Sequence, residues 1–143
     1  MRNSTASLGI NEVSMKFIDA FSPTEEELRI WASNPEAEYP VEMSQDWDLI
    51  LADINYAEIL IKLACEESPN KDFFLSCLYI LSGASRSDEK AISELKVMLK
   101  LVPFNASEDV KLWVKRSENL FNNPALYNYD GWGWGDLAQD KGA

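Results

Sequence analysis

Apolar residues along this chain recur at spacings of three and four between clear stop signals. The pattern predicts about five helices from Ser22 onward. The first opens in "SPTEEELRIWASNP". Ser22 precedes Pro23 and stands three residues before Glu25, the layout of a capping box with proline at the first helical position. Glu25 to Glu27 suit the positive end of the helix dipole, and Asn34–Pro35 ends the run. "PEAEYPVEMSQ" follows with two prolines and no period, so it reads as a loop. Ser44 caps a long second helix, "QDWDLILADINYAEILIKLACEE". Trp47, Leu51, Ile54, Ile61, Ala64 and Cys65 form its stripe. Further apolar positions leave only a thin polar edge at 48, 55 and 62, which predicts burial on several sides.

Ser68 caps the third predicted helix, with Pro69 at its first position, "FFLSCLYIL" as its body and Gly83 as its stop. Ser87 caps a fourth, "DEKAISELKVMLKLV", ended by Pro103. Asn105 with Glu108 resembles another capping box, opening "ASEDVKLWVKRSENLF", which "NNP" at 122–124 ends. The N-terminal "NEVSMKFIDAF" fits two patterns. Val13, Met15 and Phe17 alternate as in a strand, while Val13, Phe17 and Phe21 stand four apart as in a helix. A short helix agrees better with an otherwise helical chain and makes the count six.

The expected fold class is therefore all-α, with five to six helices stacked as antiparallel hairpins because the joints are short. Candidate caps at Ser68, Ser87 and Ser107 lie 19 and 20 residues apart, so a helix pair repeats at about 39 residues. That is close to the period of HEAT and armadillo hairpins, although the side chains do not repeat. A compact bundle and a short HEAT-like array both satisfy the pattern. Residues 1–143 are read as one domain, with 1–10 expected to be flexible and 125–143 to form an irregular tail packed on the helices. That tail holds "YNYDGWGWGD", in which Asp130–Gly131 is a two-residue hairpin signal. So short a hairpin is marginal alone, so the expectation is a clasp in which Trp132 and Trp134 lie against the last helices.

Charge changes the picture more than composition does. Of 143 residues, 46% are hydrophobic and 26% charged, ordinary values for a globular chain that buries roughly 68–70% of its unfolded surface. The formal net charge is −11. Between Asp19 and Glu58 there are eleven acids and one base, Arg29, a net of −10 in 40 residues. Part of this serves the first helix dipole, but Glu36, Glu38 and Glu42 fall in a loop and have no such role. A field of this sign steers a basic partner and opposes nucleic acid. Tyr39 and Trp47 stand inside the acidic stretch and can supply the aromatic centre of a hot spot, Tyr39 as the better interface candidate and Trp47 as better suited to the core. The candidate partner-binding residues are Glu36, Glu38, Tyr39, Glu42, Asp46, Trp47 and Asp48.

The residue inventory argues against catalysis. The chain has no histidine, which removes the commonest general base and transition-metal ligand. Cys65 and Cys77 are twelve apart within apolar runs and match no zinc spacing. G-x-G-x-G in the tail lacks a preceding strand and a following Lys-Ser/Thr. A calcium-loop alignment over the tail puts Leu126 and Leu137 where carboxylates are required. No cofactor or metal is expected, nor any membrane span, and the absence of an export signal suggests a cytoplasmic setting. These features sketch a non-catalytic acidic protein that binds and neutralises a basic protein, as an immunity protein blocks a cationic toxin such as a nuclease. The alternative is a helical-hairpin adaptor that holds a peptide or subunit in a groove.

Overall fold

Thr24, not Ser22, starts the first helix. Its hydroxyl accepts the Glu27 backbone N–H at 3.1 Å, and the Glu27 carboxylate accepts the Thr24 N–H at 2.9 Å. The capping box thus lies two residues later than the Ser22–Glu25 pairing the sequence suggests. Glu27 wins because it serves twice: its other oxygen accepts the Ile18 N–H at 3.1 Å and ties down the chain that enters the helix. This computed structural model describes residues 17–40, 46–128 and 132–133. Among them are six helices: α1 (Glu25–Ala32), α2 (Trp47–Leu51), α3 (Ala57–Cys65), α4 (Lys71–Ser85), α5 (Glu89–Lys100) and α6 (Glu108–Asn122). Short 3₁₀ turns span Ile54–Tyr56 and Pro124–Leu126, and no strand occurs among the described residues. Residues 17–21 are irregular rather than helical, and the rest of the ambiguous N-terminal stretch lies outside the described residues.

The long second helix is in fact two. Ala52 and Asp53 leave the helical region, and the Asp53 carboxylate accepts the Asn55 N–H at 2.8 Å. A short acidic side chain that captures a nearby N–H competes directly with the helical ladder. The break lets both halves bury apolar residues in different directions. Trp47 and Leu51 are fully buried in α2, as are Ala57 and Leu60 in α3. Ser44, the expected cap, lies outside the described residues, and Asp46 holds the N-cap position of α2 without a side-chain bond.

Other boundaries shift for similar reasons. The third predicted helix starts at Lys71 after Asn70, not at Ser68. The Asn70 amide does not cap its own helix. It donates to the carbonyls of Asn34, at 2.7 Å, and of Trp31 and Ala32, at 3.3 and 3.4 Å. The Trp31 and Ala32 carbonyls lie in the last turn of α1, where the helical ladder runs out, so the neighbouring amide supplements the Asn34 and Ala37 N–H groups that turn back onto Trp31 and Asn34. Asp88 rather than Ser87 caps α5, accepting from Lys90 and Ala91. Ser107 caps α6 through the Val110 N–H, in place of an Asn105–Glu108 box. Helix α4 runs straight through Gly83 and ends two residues later.

The core gathers around α4, which packs against α2, α3, α5 and α6. Helix α3 also reaches α6, so the helices close into a bundle instead of running on as an array. Trp47, Trp113, Tyr79 and Phe74 are wholly buried at its centre. Between α4 and α6 a short polar chain is enclosed. The Trp113 indole N–H donates to Ser82 Oγ at 2.8 Å, Ser82 donates to the Leu78 carbonyl at 3.0 Å, and the Ser117 and Ser82 hydroxyls meet at 2.8 Å. Every member has a partner, which is what makes such a chain tolerable inside a core.

Gly83 explains how the tail meets the bundle. A Cβ at this position would lie 3.0 Å from ring carbons of both Tyr127 and Trp132. The bare helix surface therefore admits two rings that an alanine would crowd. The Trp132 indole donates to the Tyr79 carbonyl at 2.8 Å, and its ring meets the Tyr79 ring edge-on at 5.6 Å between centroids. Arg86 lies 3.6 Å over the Tyr127 ring and Arg116 lies 4.7 Å over Trp132. The Asp130–Gly131 turn and Trp134 lie outside the described residues.

Candidate functional site: the acidic loop face

The residues that follow α1, 33–40, have a hydrogen-bonded backbone. Its start is held by the Asn70 amide. Within it, Asn34 Oδ1 accepts the Glu36 N–H at 3.0 Å, and the Ala37 N–H returns to the Asn34 carbonyl at 3.0 Å. Further on, the Trp31 indole reaches across to donate to the Glu38 carbonyl at 3.0 Å. Glu36 and Glu38 therefore leave a pinned backbone, and both are exposed.

Beneath the loop lies an aromatic cluster centred on Trp47. Its ring stacks on Phe73 at 5.0 Å and meets Trp31 at 5.0 Å, Phe17 at 5.3 Å and Tyr39 at 5.7 Å. Tyr39 also meets Phe73 at 5.4 Å. Such offset and edge-on pairs stabilise by about 0.5–1.5 kcal/mol each beyond area burial. The Trp47 indole N–H donates to the Ala20 carbonyl at 3.0 Å, stitching residues 17–21 to α2. Trp47 is 0% exposed, so in this conformation it touches no partner and is a support of the loop, not a contact. Tyr39 is half-buried. Burial first, then the charge of Asp48, push its phenol up to about 12, so it stays a neutral hydroxyl at any physiological pH.

The acids of the stretch separate into two groups. Those of α1 are tied within the chain. Arg29 lies between Glu25 at 2.8 Å and Glu66 at 2.9 Å, with Glu26 at 3.3 Å, and Lys62 reaches Glu25 at 3.1 Å. Arg29 hydrogen bonds hold the Glu25 and Glu66 carboxyls below their usual range, and bonds from the Thr24 and Ile18 backbone do the same for Glu27. The second group lies in and just after the loop. Glu36, Glu38 and Asp46 are exposed and have no basic partner among the described residues. Asp48, half-buried, accepts the Leu49 N–H at 2.8 Å. Glu42 lies outside the described residues. The structure thus places Glu36, Glu38, Tyr39, Asp46 and Asp48 on or beside one aromatic support.

Sequence reasoning missed two supports. Asn70 sits in a "SPN" string that resembles a helix start, and Phe73 is one of several apolar residues in a continuous run. Neither has a local signal, because each acts on a segment more than twenty-five residues away. Leu49 and Ile50 remain exposed on the outer side of α2, and Ile18 and Phe21 on the segment stitched to it.

Chemically the face offers charge and contact area. No group of three His, Cys, Asp or Glu residues that could hold a metal ion occurs among the described residues. Cys77 is buried and Cys65 half-buried, both unpaired, and burial raises both thiols, so neither is an activated nucleophile. No described helix is long and apolar enough to cross a membrane. Comparison with protein-family models, with curated proteins and with solved structures gives no match.

Proposed function

We infer that this protein is a non-catalytic binding protein whose acidic loop face engages and neutralises a basic protein, as an immunity protein blocks a cationic toxin such as a nuclease. One observation carries the reading. The carboxylates of α1 are ion-paired or hydrogen-bonded within the chain, whereas Glu36, Glu38 and Asp46 have no basic partner among the described residues, and Glu36 and Glu38 leave a hydrogen-bonded backbone over an aromatic floor. A rigid charged rim loses little conformational entropy on binding and speeds encounter with a cationic surface. The exposed Leu49, Ile50 and Phe21 add apolar area beside that rim.

The adaptor reading has one observation in its favour, a groove of about 480 Å³ between α3 and the end of α5. That volume takes a few side chains and not an extended peptide, so it is the weaker reading. Co-purification with mass spectrometry identifies the partner. Replacing Glu36, Glu38, Glu42, Asp46 and Asp48 by their amides is expected to slow association with it at least tenfold and flatten its salt dependence. An unchanged affinity with no salt dependence would sink the proposal.

A further inference from the structure

Helix α2 buries one side and leaves the other in water. Trp47 and Leu51, four apart, are wholly buried. At about 100° per residue, the remaining arc reads Asp48, Leu49, Asp46 and Ile50 in turn. The Leu49 and Ile50 N–H groups both donate to the Asp46 carbonyl at 3.1 Å, so Asp46 belongs to this turn. Acids and large apolar side chains thus alternate around a single helical turn. Leu49 is 55% and Ile50 39% exposed, and Asp46 and Asp48 make no ion pair among the described residues.

The segment at 17–21 continues the pattern. The Trp47 indole stitches it to α2 through the Ala20 carbonyl. Ile18 and Phe21 are exposed, and so is Asp19 between them. Neither 17–22 nor 46–53 contains a lysine or arginine. Exposed apolar residues grouped among polar ones mark a contact with another macromolecule.

Whatever covers this arc must supply cations and apolar groups at the spacing of one helical turn. A flat cationic surface covers the aspartates but sets Leu49 and Ile50 against charge. An anionic lipid surface suits the apolar residues and is repelled by the aspartates. A helix with lysines or arginines beside an apolar stripe meets both demands, because its residues three and four apart stand next to each other. On the footing that the acidic face binds a basic protein, we propose that this arc of α2 receives an amphipathic cationic helix of that partner. Its cations meet Asp46 and Asp48, and its apolar stripe covers Leu49 and Ile50.

Fluorescence anisotropy of the full chain with two labelled peptides tests this. Both peptides have the same lysine and leucine content and about 18 residues, enough for a bound helix. In one the leucines share a helical face, and in the other they are scattered. The first should bind about tenfold more tightly or better, as burial of two aliphatic side chains implies. Leu49→Ser/Ile50→Ser should abolish that preference, and Asp46→Asn/Asp48→Asn should weaken both peptides. Leu49 and Ile50 are exposed, so the serine variant should melt as the unchanged chain does. The comparison of the two peptides on the unchanged chain needs no variant. Equal affinity for the two peptides would overturn the docked helix, as would a preference that survives Leu49→Ser/Ile50→Ser. The co-purified partner separates this from the wider reading. If it binds the serine variant as tightly as the unchanged chain but is lost when the acids become amides, the acidic face stands and the helix docking falls.

Discussion

Ser82 and Ser85 lie three residues apart on α4, both buried, yet they carry different loads. The Ser85 hydroxyl donates to the Leu81 carbonyl of its own helix at 2.8 Å, a carbonyl that the backbone already serves. Ser82 accepts the Trp113 indole N–H and meets the Ser117 hydroxyl, both on α6. Replacing Ser82 by alanine leaves a buried N–H and a buried hydroxyl without their partner. Each such group costs about 1–3 kcal/mol. The expected loss is about 2–4 kcal/mol for Ser82→Ala and about 1 kcal/mol or less for Ser85→Ala, read by urea denaturation. Equal losses would mean that the α4–α6 chain does not act as a unit. A single residue also sets how the tail is received. Gly83→Ala gains about 1 kcal/mol of helix propensity but drives a methyl against the Tyr127 and Trp132 rings at 3.0 Å. It is expected to destabilise the full chain. In a Tyr127→Ala/Trp132→Ala background the clash is absent and the same change should stabilise by about 0.5–1 kcal/mol. That reversal of sign, measured as a double-mutant cycle, separates a docked tail from a loosely lying one.

At the scale of elements, the link between α1 and α3 is an ion-pair group whose pH dependence has a definite sign. Arg29 holds the Glu66 carboxyl below its usual range and, with Lys62, does the same for Glu25. A carboxyl depressed in the folded state contributes stability above its unfolded value, which is lost as pH falls through the folded one. Glu66→Gln should therefore lower the melting temperature at pH 7, and the gap to the unchanged chain should close as pH drops below about 4.5. The pair is partly exposed, so the gap is expected to be small and to shrink in salt. A gap that stayed constant down to pH 2 would assign the loss to packing instead. This group also shows what the sequence could and could not tell. Four of the six helices follow from their period and punctuation, and α2 and α3 follow as one, because a stripe of apolar residues needs a face to bury. Their ends do not, because Thr24 displaced Ser22 through Glu27's reach to Ile18, and Asn70 left its own helix to serve α1. The split at Asp53 was hidden because both halves are apolar enough to look like one buried helix. The acidic face was legible as charge. The helical spacing of Trp47 favoured the core, where it lies, while the charges around it suggested a contact as well.

On the scale of the whole molecule, the charge is distributed against stability. The bundle closes around α4 with its ion pairs drawn largely to one group near Arg29. Glu36, Glu38 and Asp46 make no ion pair among the described residues. Like charges held on a pinned loop repel, and folding does not relieve them. A loop retained only as a connection would have no cause to keep them, whereas a face that steers a cationic partner would. Function and stability then pull in opposite directions at the same three residues. Glu36→Gln/Glu38→Gln/Asp46→Asn is expected to raise the melting temperature at low ionic strength by a few degrees. Each exposed site contributes about 0.5 kcal/mol or less, and a kilocalorie corresponds to about 4 °C in a chain of this size. The gain should vanish in molar salt, where the screening length falls to about 3 Å. The same variant should bind its basic partner more slowly. A variant that binds slowly without gaining stability at low salt would show that these carboxylates make favourable contacts in the free protein. A gain that persisted in molar salt would trace it to local backbone preference and not to repulsion.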